Sequence, residues 1–385
     1  MSTPLQYQGL SSVRRRYTTI ESWREYVNMQ EPPRPPLADS AHKALWTAQE
    51  REAYDEARRS YHRRFDPLET PDVRDIHSQI GLQLWENLDA GFGAKAGGAV
   101  DGDATLGKTT IVAELGKSFE LRLLREHPVV DPAMVHLAVP VVYITLPARA
   151  TPKTLNLSLA RFYNLLLPAS LRKVSTDDLN VAITQAVEDH GTQVIIVDDL
   201  HYLRLTSKNR FQEEAAQVAN DHLKHLANIL DVTFVYAGIN LETSGLFDAG
   251  ALLAGDRAQT GGRFLHCKVN RFEQGSVGWL SLLDALERKL LLERLEPGTL
   301  RALGEYLFRR TQGGIGDVVS LIRKAANLAV GRNETLTEKL LEQMKLPRNA
   351  QFHYERLYGA QANAAGKGPA REPGTGSRRG KGKAA

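Results

Sequence analysis

The run "DGDATLGKTT" at residues 101–110 has glycines at 102 and 107, a lysine at 108 and a threonine at 109, the spacing G-x-x-x-x-G-K-[ST]. Glycines let the backbone bend until successive N–H groups face one centre. The lysine ammonium then reaches outer phosphates, and the threonine hydroxyl serves as a magnesium ligand. Gly102, Asp103, Ala104, Thr105, Leu106, Gly107, Lys108, Thr109 and Thr110 are therefore expected to cradle a triphosphate. The other reading of the run is a glycine-rich turn capping an ordinary helix. Context favours the cradle: Ile111, Leu115, Phe119 and Leu123 recur every four residues, which starts an amphipathic helix where its first amides face an anion. Upstream, "KAGGAV" (95–100) is short and glycine-heavy, a poor match to a buried parallel strand.

Further along, "VVYITL" (141–146), "VIIVDDL" (194–200) and "VTFVYAG" (232–238) are β-branched runs separated by helical patterns. That alternation implies an α/β fold of the P-loop NTPase kind, with a parallel sheet sandwiched by helices. A helix through Ile76, Ile80, Leu84 and Leu88 leads into the loop, and after residue 275 strands give way to helices through Trp279–Leu290, Leu303–Leu307 and Val318–Ile322. The expected organisation is a polar N-terminal arm (1–71) interrupted by "EPPRPP", a nucleotide-binding domain (72–274), a small all-helical lid (275–346) and a basic, unfolded tail (347–385). The tail is either a weak, salt-sensitive nucleic-acid contact or a solubilising segment.

In "QVIIVDDLHYL" the apolar run presents Asp198 and Asp199 at the C-terminal edge of a strand, where ligands bind open parallel sheets. Asp198 is the candidate magnesium partner together with Thr109, and Asp199 the carboxylate that orients the attacking water. The plain alternative is a loop start or helix cap. "VVYITL" falls between the two motifs, as in P-loop ATPases that insert an extra strand between the loop strand and the acidic strand. The chain has no N-K-x-D run for a guanine base and no D-x-x-G after a strand, which argues against a GTPase. Asn240, after "VTFVYAG", either reaches the γ-phosphate and the attacking water or caps the next element. Arg257 and Arg263 are candidates for an arginine presented to a neighbouring subunit's nucleotide, Arg263 first, with a surface salt bridge as the alternative. Arg323 either faces the nucleotide or is a solvated arginine beside the core, and His222 and His225, three apart with no third ligand, are read as surface histidines.

Composition sets the frame. The 385 residues are 42% hydrophobic with a net charge of +4, which suits a larger and a smaller globular domain. Cys267 is the one cysteine, so an intramolecular disulfide and a cysteine-based zinc site are excluded, and a reducing, cytoplasmic setting is expected. No stretch approaches the ~18 uninterrupted apolar residues of a membrane span, and the polar start lacks the apolar middle of a secretory signal. The chain is expected to be soluble, without a membrane partner.

With "DGDATLGKTT", "VVYITLP", "VIIVDDLHYL", "YAGIN", "GGRF" and "TQGGIGDVVSLIRKAA" in order, the chain resembles the TniB-like transposition ATPases, the TniB/TnsC group of AAA+ proteins, over roughly residues 72–346. The resemblance implies ATP and Mg2+, self-association into an oligomer on duplex DNA with weak sequence preference, and a transposase or other recombination protein as partner. A signalling or defence ATPase acting through a protein partner, and an ATP-bound DNA-binding scaffold with negligible turnover, are the alternatives. The group usually has Glu where this chain has Asp199. One methylene fewer withdraws the carboxylate by about 1.5 Å, and a misplacement near 1 Å costs about a hundredfold in rate, so slow ATP hydrolysis is expected. Asp317 stands where many AAA+ proteins outside the group carry a sensing arginine.

Overall fold

In the computed structural model, the described residues run from 17 to 356, without 31–32, 39, 65–66, 92, 94, 128–136, 167–173, 204–210, 242–263, 348–349, 352–353 and 355. Arg257, Arg263 and residues 357–385 lie outside them; the start of the stretch expected to be an unfolded tail is instead packed, with Ala350 buried against the helical cluster and the Tyr354 hydroxyl donating to Glu342 at 3.3 Å.

Five strands form the centre: β1 (Gly97–Asp101), β2 (Val141–Thr145), β3 (Val194–Asp198), β4 (Thr233–Gly238) and β5 (Phe264–Lys268). All pairs are parallel, in the order β2-β3-β4-β1-β5. This order corrects one expectation. The strand between the loop strand β1 and the acidic strand β3 is β4, while the "VVYITL" strand β2 lies at the sheet edge beyond β3. Intervening in sequence and intervening in space are different here, because parallel crossovers free strand order from chain order.

The glycine-heavy start of β1 also has a spatial cause. A Cβ on Gly97 would sit 2.4 Å from the Phe234 carbonyl oxygen, and one on Gly98 would sit 2.7 Å from Ile80. Both faces of β1 are so closely packed that side chains at these positions would not fit, which is why a central strand reads as a weak one.

The N-terminal segment holds α1 (Ile20–Val27), α2 (Ser40–Ala44), α3 (Ala48–Arg63) and α4 (Pro71–Leu88). α5 (Lys108–Glu126) follows β1; α6 (Pro152–Phe162) and α7 (Thr176–His190) follow β2; α8 (Phe211–Leu230) precedes β4. Hydroxyl N-caps start most of these helices: Thr19, Thr47, Thr70, Thr151 and Ser175 each accept a backbone N–H of the first turn. α4 and α5 pack on one another and on β1, and α1 packs on α5 and β2. The core between sheet and helices includes Ile80, Val112, Phe162, Ile195 and Tyr236, each at most 2% exposed.

A second, separate hydrophobic cluster gathers α9 (Val277–Lys289), α10 (Thr299–Ala302), α11 (Gly304–Thr311), α12 (Ile315–Ala329) and α13 (Glu338–Glu342) around Trp279, Leu283, Leu307 and Ile322. Among the described residues no helix is long and apolar enough to cross a membrane.

The stretch expected to be an arm outside the core is packed into both clusters. Trp23 of α1 is fully buried, lies parallel to Tyr143 with ring centroids 5.6 Å apart, and donates its indole N–H to Glu120 Oε2 at 2.7 Å. Arg58 of α3, 1% exposed, forms a bidentate pair with Glu334 at 2.8 and 2.9 Å and donates to Asp55 at 2.6 Å. Its neighbour His62 accepts the Leu291 N–H at 2.9 Å, and burial pushes its pKa down to about 4. A few large side chains among many polar ones anchor this segment, which average polarity conceals. His222, read as a surface residue, is half-buried and bonded through Nε2 to Asn156 Oδ1 at 2.8 Å, while His225 is exposed. Cys267 is buried on β5.

Candidate functional site

The 101–110 loop leaves β1 and enters α5 along a path that specific contacts enforce. Asp101 Oδ1 accepts the Gly102 N–H at 2.7 Å, and a Cβ on Gly102 would meet the Val269 carbonyl oxygen at 2.6 Å. Thr105 and Gly107 have φ of 66° and 82°, so the chain turns back before the helix begins. Gly107 is the N-cap of α5 and has no side-chain cap, unlike the hydroxyl-capped helices around it. The first amides of α5 are thus left for an external acceptor, and the helix dipole favours an anion there. Lys108 is 9% exposed and folds over the loop, donating to the Gly102 and Asp103 carbonyl oxygens at 2.7 and 2.5 Å. Burial holds its pKa below the usual lysine range, opposed by the charges of Asp198, Asp101, Asp199 and Asp103.

Across from the loop, the end of β3 brings Asp198 into contact with it. Asp198 is 2% exposed; its Oδ2 accepts from Thr109 Oγ1 and from the Tyr143 hydroxyl, both at 2.7 Å, and its Oδ1 accepts the Asp199 N–H at 2.8 Å. Tyr143 has no signal in the sequence beyond its place in a strand. Its role appears only when β2 lies beside β3, with Thr145 in register with Asp198. Asp199 itself has φ 56° and starts a short 3₁₀ turn, Leu200–Tyr202. Burial, then the neighbouring Asp198, raises its carboxyl pKa. His201 Nδ1 stands 3.9 Å from Asp199 Oδ1.

The second cluster closes the site from above. α12 starts at Gly314, also without a side-chain cap, and Gly316 N–H donates to the Thr105 carbonyl oxygen at 2.9 Å. A Cβ on Gly316 would lie 2.5 Å from that oxygen, so only glycine permits the approach. Asp317 Oδ2 accepts from Thr105 Oγ1 at 2.9 Å, and burial raises its pKa. Arg271 reaches Asp103 Oδ2 at 3.3 Å. Arg323 does not point at the loop: its Nε donates to the His62 carbonyl at 3.2 Å and its Nη2 to that of Arg63, capping the end of α3.

Two cavities meet at Gly107 and Gly316. One, about 570 Å³, is lined by Lys108, Thr109, Asp198, Asp199, His201 and Asp317. The stretch after β4 contributes Ile239 to this wall; Asn240 lies one residue on, exposed, with φ 55°. The other cavity, about 520 Å³, has apolar walls of Leu68, Val73, Leu106, Ile111, Phe272, Ile315 and Val319, and its polar lining includes Glu69, Asp72, His77, Glu114, Asn270 and Arg323. A polar compartment joined to an apolar one of these sizes suits a phosphorylated aromatic ligand. The apolar compartment was not foreseen from the sequence, because its walls come from four separate segments and no local motif marks them.

Sheet order, loop, acidic strand end and helical cluster together define the P-loop AAA+ fold. The family model described as AAA domain matches residues 93–243, from just before β1 to just after β4. Among solved structures, the Aeropyrum pernix ORC1 protein in complex with DNA is 14% identical with a TM-score of 0.51, covering 79% of this chain and 71% of that one. The Aeropyrum pernix ORC2 protein in its ADP form is 16% identical with a TM-score of 0.49, covering 74% and 71%. AMPPCP-bound DnaA from Aquifex aeolicus is 13% identical with a TM-score of 0.43, covering 72% and 68%. No curated protein matches the chain.

Proposed function

We propose that this chain is an ATP-dependent AAA+ switch that binds ATP with Mg2+, hydrolyses it slowly, self-associates on duplex DNA and regulates a transposase or other recombination protein. The observation that carries the nucleotide reading is the Thr109–Asp198 contact of 2.7 Å beside buried Lys108, on a loop whose following helix has no side-chain cap. Lys108 and the amides of residues 102–110 take the phosphates, and the apolar cavity takes the base. The hydroxyl and carboxylate of Thr109 and Asp198 are hard oxygen donors already in contact, and they fit Mg2+. The ion supplies charge neutralisation of the phosphate oxygens when bound.

Asp199 holds the attacking water, and its short side chain is the reason for slow turnover. Asn240 and, from an adjacent subunit, Arg263 are assigned to the γ-phosphate, which makes nucleotide state and assembly interdependent. The DNA reading is supported by the basic composition of residues 367–383 and by a shared fold with a protein solved on DNA. The transposase reading rests on the resemblance of the motif series.

Isothermal titration of ATP into the chain and its Lys108→Ala variant, followed by light scattering with ATP and duplex DNA, tests the proposal. Heat and assembly in the unsubstituted chain only are expected; no heat in either overturns the nucleotide reading. Binding without phosphate release, with or without DNA, favours the scaffold alternative.

A further inference from the structure

The polar wall beside Lys108 holds, next to Asp199, an imidazole that the sequence motifs do not use, that of His201. Asp199 carries its carboxylate on a left-handed backbone position, and among the described residues that carboxylate has no hydrogen-bond partner. Beside it, His201 Nδ1 is buried and likewise without a partner among the described residues. The two stand 3.9 Å apart, too long for a hydrogen bond and short enough for a small side-chain rotation or one bridging water to join them. A buried ring nitrogen without a partner is costly, so the approach is favoured. The imidazole is itself held in place. Tyr202 lies against it with ring centroids 4.2 Å apart, and the turn packs on the end of β4, where a Cβ at Gly238 would lie 3.3 Å from the His201 amide nitrogen.

We propose that His201 is a positioning residue for hydrolysis: its Nδ1–H holds the short Asp199 carboxylate toward the attacking water. The inference rests on the nucleotide reading above. In the step concerned, the water oxygen bonds to the γ-phosphorus as the bond from that phosphorus to the β,γ-bridging oxygen breaks. ADP leaves with the electron pair, and the water's proton passes to the Asp199 carboxylate and on to solvent. His201 gains and loses no proton. It restricts the rotamers of a side chain that is 38% exposed and has no hydrogen bond to hold it among the described residues. The chain thereby recovers some of the reach it lacks by carrying Asp where a longer carboxylate would serve.

The test uses the full chain. Binding of a fluorescent ATP analogue reports the nucleotide site, and single-turnover phosphate release reports the positioning. His201→Ala is expected to bind the analogue as tightly as the unsubstituted chain and to release phosphate about tenfold more slowly. Asn places an amide nitrogen near Nδ1 and Gln places one near Nε2, so His201→Asn should restore most of the rate and His201→Gln should not. Asp199→Asn combined with His201→Ala should be no slower than Asp199→Asn alone, because the two act as one unit. Unchanged release in His201→Ala, equal loss in the Asn and Gln variants, or weakened analogue binding in step with the rate overturns the inference. Tight binding with no phosphate release above that of Lys108→Ala overturns it while leaving the nucleotide site standing. Binding no better than in Lys108→Ala overturns the reading beneath it as well.

Discussion

Asp199 occupies a backbone position with φ 56°, a region that Asp and Asn tolerate better than longer side chains. The residue that looked like a shortened catalytic carboxylate is thus also one that suits the turn entering Leu200–Tyr202. Replacing it with Glu sets the two demands against each other. Asp199→Glu is expected to release phosphate faster and to depend less on His201, while losing about 1 kcal/mol of stability to left-handed strain. Phosphate-release kinetics and urea denaturation on the same preparation check both halves; a slower variant removes Asp199 from the role assigned to it. At this scale the place of Asp198, at a strand end against the loop, was legible from its position after a four-residue apolar run. Tyr143, which shares its Oδ2 with Thr109, was not, since a tyrosine in a strand is indistinguishable from any other core aromatic.

Helices α1 and α3 are where the polar N-terminal segment is tied to the rest. Glu120 of α5 is 4% exposed, and burial raises its carboxyl pKa to about 7 despite the Trp23 hydrogen bond. A carboxyl whose folded pKa is raised binds more protons folded than unfolded between about 4.5 and about 7. Its contribution to stability is therefore complete below that window and declines as pH rises through it. Glu120→Gln, which keeps an acceptor for Trp23, is expected to be more stable than the unsubstituted chain at pH 8, by on the order of 3 kcal/mol, with the difference vanishing toward pH 4. His62, held neutral by burial with a pKa of about 4, acts in the opposite sense, so the comparison between the two chains isolates Glu120. The Arg58–Glu334 pair gives a second expectation. Arg58→Met leaves the buried Glu334 carboxylate without its partner and should cost ~3–5 kcal/mol in urea denaturation, whereas Arg58→Met with Glu334→Leu should recover much of that loss. If the single variant is neutral, the pair does not anchor α3.

For the whole molecule, the two hydrophobic clusters meet over the loop. α12 bonds through Gly316 to Thr105, Asp317 accepts from the same residue, and the apolar cavity has walls from both sides. Nucleotide filling that cavity would touch both clusters at once, which is the differential contact a conformational switch requires. Filling it instead with protein should separate binding from chemistry. Val319→Trp is expected to raise the dissociation constant for ATP at least about tenfold while leaving phosphate release at saturating ATP within a small factor. Calorimetry and steady-state release measure the two, and unaltered affinity would place the base elsewhere.

What the amino-acid sequence determined unaided was local chemistry. Glycine, lysine and threonine spacing specified a loop of the P-loop kind, β-branched runs specified buried parallel strands, and an aspartate pair marked the strand end that faces the loop. Each depends only on near neighbours along the chain. Strand order, the need for bare glycines in β1, the burial of Trp23 and Arg58, the apolar cavity and the 3.9 Å juxtaposition of Asp199 with His201 were decided by tertiary structure alone. Close packing and shared hydrogen bonds join groups far apart in sequence, so the reason for each such residue lies on another segment.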